Sequence, residues 1–177
     1  MSCSAGCSFD LAMKRGVLLL LLGWAIFSAY VWQSGAHLPE RVATHFGVSG
    51  QPNGWMTRAE HERFTILAGL AIPGFILGVF ALIRTMGDRG LNIPNKTYWL
   101  AAERRDRTYA FIQNQGLIFA GLMIAFLAGV HRSILVANAR SPVSFSNSDI
   151  GLVSGGLLIV SLLWVAVFLG YFLRKPA

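Results

Sequence analysis

Three histidines, His37, His45 and His61, fall within one short stretch of the chain. Imidazole is a common metal ligand, but spacings of eight and sixteen residues match no zinc pattern. Neither a metal nor a cofactor is expected. The same stretch sets Glu40, Arg41 and His45 near Phe46, Pro52 and Trp55, charged and imidazole groups beside an apolar wall. That combination suits ligand recognition, and Arg41, His45, Phe46, Pro52 and Trp55 are the candidate binding residues. Catalysis is not expected. A nucleophile needs a base at a diagnostic position, and Ser154 in the Gly151–Gly155 run has none; small-residue packing explains that run better. His131 and Arg132 close an apolar run, where such a pair snorkels to the membrane interface. A proton relay would need an acidic partner inside the membrane, and no apolar run contains a carboxylate. Gln113, Asn114 and Gln115 are the only candidate lining for a polar cavity.

The elements that must carry these groups are membrane spans. The 177 residues include only 13% charged ones, well below a soluble domain, and the mean hydropathy is +0.55. Four runs, at about 16–33, 64–83, 109–130 and 150–173, are long enough to cross a bilayer. The fold class is therefore an all-α integral membrane protein. It has four transmembrane helices and an ordered extracytoplasmic loop between the first two. Residues 1–15 form a cytoplasmic tail and 16–177 a single membrane domain. A signal peptide is the alternative for the first run, since Ser34-Gly35-Ala36 resembles a cleavage site. Trp24, Tyr30 and Trp32 favour an uncleaved helix anchored at the interface. Cys3 and Cys7 precede the first run and are expected as free thiols. The formal charge is +7, but the basic residues flank apolar runs, so lipid and not nucleic acid is the expected partner. Ten Lys and Arg lie in the two tails and the second loop, five in the first and third loops. The positive-inside rule then puts both termini in the cytoplasm.

The first loop, 34–63, is longer than two adjacent spans require, and its glycines and prolines suggest fixed turns. It reads either as a compact cap on the outer membrane surface or as a recognition surface. Thr57 with Glu60 has the capping-box pattern, so a short helix over 56–63 should lead into the second span. That span contains Pro73, a source of a kink, and Gly74 with Gly78, a pair that admits a neighbouring helix. The second loop turns at Asn92–Lys96 and then offers Tyr98, Trp99, Arg104 and Arg105. The basic residues there can touch anionic lipid. Asn95, Lys96, Tyr98, Trp99, Arg104 and Arg105 are also the candidate contacts for a cytoplasmic protein.

In the first loop, Leu38-Pro39, Thr44-His45-Phe46 and Gly50-Gln51-Pro52-Asn53-Gly54-Trp55 follow one another after a membrane helix. This order resembles a widespread bacterial membrane domain that also begins the SdpI family of immunity proteins. The second loop, Ile93-Pro94-Asn95-Lys96 with Tyr98-Trp99-Leu100 and Glu103-Arg104-Arg105, is similar to a signature of an uncharacterised branch of that domain. The resemblance implies a small protein of the bacterial inner membrane. By analogy it implies toxin immunity coupled to sensing. The later half lacks the Gly-Ile-Arg-Thr stretch of the immunity family. Three readings follow: a sensor or immunity protein recognising a peptide toxin or lipid-like ligand through 38–56, an accessory subunit of a membrane complex, and a small transporter or enzyme. A homo-oligomer through the glycine faces is compatible with each.

Overall fold

The computed structural model describes residues 4–174. Cys3 and Lys175 lie outside the described residues, and of Cys7 only the backbone, in α1, is described, so the expectation of free thiols falls outside them. The chain is mainly helical. It runs α1 (Ser4–Gly35), β1 (Arg41–Phe46), β2 (Pro52–Thr57), α2 (Arg58–Met86), a 3-10 turn (Gly87–Gly90), α3 (Lys96–Trp99), α4 (Arg105–Asn138), α5 (Asn147–Ile150), a π-helical turn (Gly151–Gly155) and α6 (Gly156–Leu173). Four helices, carried by α1, α2, α4 and the α5–α6 arm, are long and apolar enough to cross a membrane. Leucines and phenylalanines such as Leu18, Leu22, Phe64, Phe75, Leu162 and Leu163 face outward. Thr108, Gln115 and His131 are buried. The buried set is still mostly apolar, as in Phe27, Val31, Ile112 and Phe172, so the mark of a lipid solvent is the run of large apolar side chains on the outer faces.

The helices extend beyond the expected spans. The helix of α1 begins at Ser4, ahead of the apolar run, and its candidate membrane span starts at Met13. The helix leading into the second span is not separate either: α2 is one helix that starts where β2 ends. Thr57 caps it, accepting from the Glu60 amide at 3.2 Å while the Glu60 carboxylate accepts from the Thr57 amide at 2.8 Å. That early start brings Glu60 and Glu62 into the helix. The first loop is more regular than fixed turns, since β1 and β2 pair antiparallel as a hairpin. Pro52 occupies the first position of its strand, where a missing N–H is tolerated. Gly54 sits opposite His45 at a register shift, and a Cβ there would lie 2.8 Å from that of His45.

Neighbouring helices are tied by side chains that donate to backbone carbonyls. Trp24 of α1 reaches the Ile66 carbonyl of α2 at 3.4 Å, Gln113 of α4 reaches Phe80 of α2 at 2.7 Å, and Trp164 of α6 reaches Gln115 of α4 at 3.3 Å. Gln113 is thus a strut and not a cavity lining. Close approach depends on glycines other than the expected pair. A Cβ at Gly69 would overlap the Phe27 ring, and one at Gly116 would lie 2.6 Å from Phe80. At Gly74 and Gly78 it would meet nothing within 4 Å among the described residues, so neither glycine is needed for a close approach there.

Candidate functional site

The helices meet at two ends, and the hairpin marks one of them. Leu38 and Val42 are buried against Ile134 of α4, with Phe46 and Leu135 packed around them. Burying a strand leaves its outer backbone groups to be satisfied. Asn138, the last residue of α4, does this for Ala43. Its Oδ1 accepts from the Ala43 amide at 2.8 Å and its Nδ2 donates to the Ala43 carbonyl at 2.9 Å. The amide side chain acts as a one-residue neighbouring strand. The hairpin turn is fixed from the other side, where the Phe145 amide donates to the Gly50 carbonyl at 2.9 Å. Gly50 has φ +76°, and a Cβ there would run into the Phe145 carbonyl.

Beneath the hairpin, three helices share a line of hydrogen bonds. His61 Nε2 lies 3.1 Å from His131 Nδ1, and His131 Nε2 lies 2.9 Å from Ser34 Oγ. Ser34 Oγ donates to the Tyr30 carbonyl at 2.6 Å. A hydroxyl has one proton. Since that proton goes to Tyr30, Ser34 must accept from His131 Nε2–H. A neutral His131 then presents Nδ1 as an acceptor, and His61 Nε2–H donates to it. The rings stack at 5.3 Å, with Tyr30 edge-on to His131 at 5.4 Å. The serine–imidazole contact has the spacing of a nucleophile and its base. Its proton direction is the reverse, because the serine proton is already committed to a carbonyl. The chain pins α1, α2 and α4 together.

This corrects the expectation for His131, which turns inward at 1% exposure and does not snorkel. Arg132 beside it does point outward. Of the three histidines in the first stretch, only His61 joins the buried chain. His37 and His45 are exposed, and no group of three His, Cys, Asp or Glu that could hold a metal occurs among the described residues.

The outer face of the hairpin holds most of the candidate binding residues. Arg41 lies over the Trp55 ring at 5.1 Å, a cation–π pair on diagonal positions of the two strands. Trp55 stays 41% exposed. His45 is exposed, with Nδ1 2.6 Å from Asn53 Oδ1. Val48 at the tip is fully exposed. Phe46 and Pro52 are half-buried, and Phe46 packs on Phe145 at 5.0 Å. Glu40 is paired with Arg58 at 3.1 Å. Arg41, His45 and Trp55 therefore form the presented group, and Phe46 supports them from behind.

The opposite end is built from the second loop. Helix α6 ends at Leu173, leaving terminal carbonyls without helical partners. Trp99 Nε1 and Asn95 Nδ2 both donate to the Phe172 carbonyl, at 3.0 and 3.1 Å. Asn95 reaches it from a left-handed conformation, φ 53°. Trp99 is buried with Leu91, Ile93, Tyr109, Ile112 and Phe172. Arg104 covers the Tyr98 ring at 3.9 Å and donates to the Tyr98 carbonyl, and Arg105 pairs with Asp88 at 3.1 Å. Of the six residues expected to contact a cytoplasmic protein, Lys96 and Arg105 are exposed, while Asn95 and Trp99 cap α6.

Sequence reasoning missed Ser34, Tyr30 and Asn138. Ser34 and Tyr30 were visible only as a small-residue cleavage pattern and an interfacial aromatic. Residues 18–61 match a family described as a domain of unknown function (DUF1648). The match runs from the apolar part of α1 through both strands to His61. No curated protein and no solved structure matches the chain.

Proposed function

We propose that this multi-pass membrane protein acts by recognition and not by catalysis, as a sensor or immunity protein whose hairpin binds a peptide or lipid-like ligand outside the cytoplasmic membrane of a bacterium. The observation that carries this reading is the Arg41–Trp55 pair. It is exposed, yet it sits on a hairpin fixed to α4 by Asn138 and to the third loop through Gly50. A preformed aromatic and cation lose little freedom on binding, and Trp with Arg is the composition of binding hot spots. The Lys and Arg distribution supports the outward placement of the hairpin. The resemblance of the loop to the SdpI family supports the immunity form. The commitment of the Ser34 proton supports binding over hydrolysis.

The test is a photoreactive side chain at position 55, with crosslinking in native membranes. Capture of a discrete peptide or lipid that is lost in Arg41→Gln supports recognition. Labelling of bulk lipid alone, unchanged by Arg41→Gln, overturns it. A second reading, an accessory subunit, draws on Gly74 and Gly78, where an added Cβ would meet nothing within 4 Å among the described residues. It expects a stable protein partner captured from position 78.

A further inference from the structure

A groove of about 360 Å³ runs between α4 and the α5–α6 arm at the hairpin end. Its walls are apolar, with Phe126 and Gly129 on α4 and Val153 and Gly156 on the arm. Glycine leaves it open: a Cβ at Gly129 or Gly156 would meet nothing within 4 Å. The arm enters through a π-helical turn at Gly151–Gly155, an irregularity associated with functional sites. Two polar side chains, Arg132 and Ser133, stand at the groove. Arg132 is exposed and has no hydrogen bond or ion pair among the described residues. The groove has no carboxylate in its lining. Asp149, the acid at the start of the arm, is already taken by Arg140 and Ser146. Arg132 lies six residues before the end of α4, about 9 Å along the axis, a depth suited to the headgroup boundary.

We infer that this groove holds one acyl chain of an anionic glycerophospholipid, with the lipid phosphate on the Arg132 guanidinium. The membrane supplies the chain, the apolar walls accept it, and the planar guanidinium matches two phosphate oxygens. The Ser133 hydroxyl donates to the Gly129 carbonyl at 3.1 Å, so toward the ligand it offers no proton and the cation alone selects the headgroup. A zwitterionic headgroup would bring an ammonium that finds no carboxylate in the groove lining.

The full chain, reconstituted in phosphatidylcholine vesicles with a minority of diazirine-bearing phosphatidylglycerol, tests this. After irradiation, mass spectrometry should map label to both walls of the groove. Excess unlabelled phosphatidylglycerol should compete, and phosphatidylcholine should not. Arg132→Gln should lower labelling roughly fivefold and Arg132→Lys should restore part of it. Gly156→Leu should fill the groove and abolish labelling with Arg132 intact. Thermal melts of each variant report folding separately. Label spread evenly over the lipid-facing sides of the helices, equal competition by phosphatidylcholine, or labelling unchanged in both Arg132→Gln and Gly156→Leu would overturn the assignment.

Discussion

Asn138 and Ala43 lie 95 residues apart and exchange both a donor and an acceptor, so one side chain closes the edge of the hairpin. Asn138→Leu keeps the size and removes both bonds. It should destabilise the protein by about 1–3 kcal/mol, the range for buried backbone groups left unpaired. Hydrogen exchange at the Ala43 amide should speed up more than exchange within α2. Equal protection in the variant and the parent would sink the anchoring role.

The line from His61 through His131 to Ser34 makes a claim about tautomers. Imidazole nitrogen chemical shifts should show the His131 proton on Nε2 and a bare Nδ1. His131→Ala should lower stability by about 2–4 kcal/mol through a cavity and stranded partners. A double-mutant cycle with Ser34→Ala should give a non-zero coupling, since the two groups share a bond. Additive effects would mean that the contact does not stabilise the bundle.

Phe46 and Trp55 were grouped as one apolar wall by sequence, and the structure separates them. Phe46→Ala should reduce stability, because the ring packs on Phe145 and joins the cluster under the hairpin. Trp55→Ala should leave the melting temperature nearly unchanged, as exposed sites shift stability by only about 0.5 kcal/mol. Its effect should appear in ligand capture from a photoreactive side chain placed at Val48, the exposed tip of the hairpin. The reverse pattern in melts and crosslinking would remove the basis for a recognition surface.

Trp99 and Asn95 should act on a helix end remote from them in sequence. Trp99→Phe keeps most of the ring and loses the donor to the Phe172 carbonyl. Proteolysis near Arg174 should accelerate, with a stability loss of about 1 kcal/mol. Asn95→Gly allows the same positive φ without the amide and should have a smaller effect in the same direction. No change in either variant would show that α6 needs no cap from the second loop.

The four spans were legible because composition and length alone mark a segment that can cross a bilayer. The Thr57–Glu60 box was legible because both partners lie within one helical turn. The hairpin was not. In its strands only Val42, Thr44, Phe46, Trp55 and Thr57 favour extended structure, and Pro52 with Gly54 argue locally for a turn. It exists because α4 offers Ile134 and Asn138 to dock on. His131 was misjudged for a similar reason. Next to Arg132 it reads as an interfacial pair, and only the packing of α1 and α2 shows that the neighbours face opposite ways. The glycine pattern had the same weakness. Periodicity found Gly74 and Gly78, but the aromatic rings that need space belong to Phe27 and Phe80, which meet Gly69 and Gly116.

The hairpin lies between the first two spans, and the amide that closes its edge ends the third. During synthesis the strands leave the ribosome long before Asn138 exists. Until α4 is threaded into the bilayer, the Ala43 backbone lacks its partner and the His61 ring lacks the one on His131. Completion of the hairpin therefore reports that the third span has been inserted. In a chain truncated before Asn138 the Ala43 amide should exchange its hydrogen quickly, even with the first two helices correctly placed.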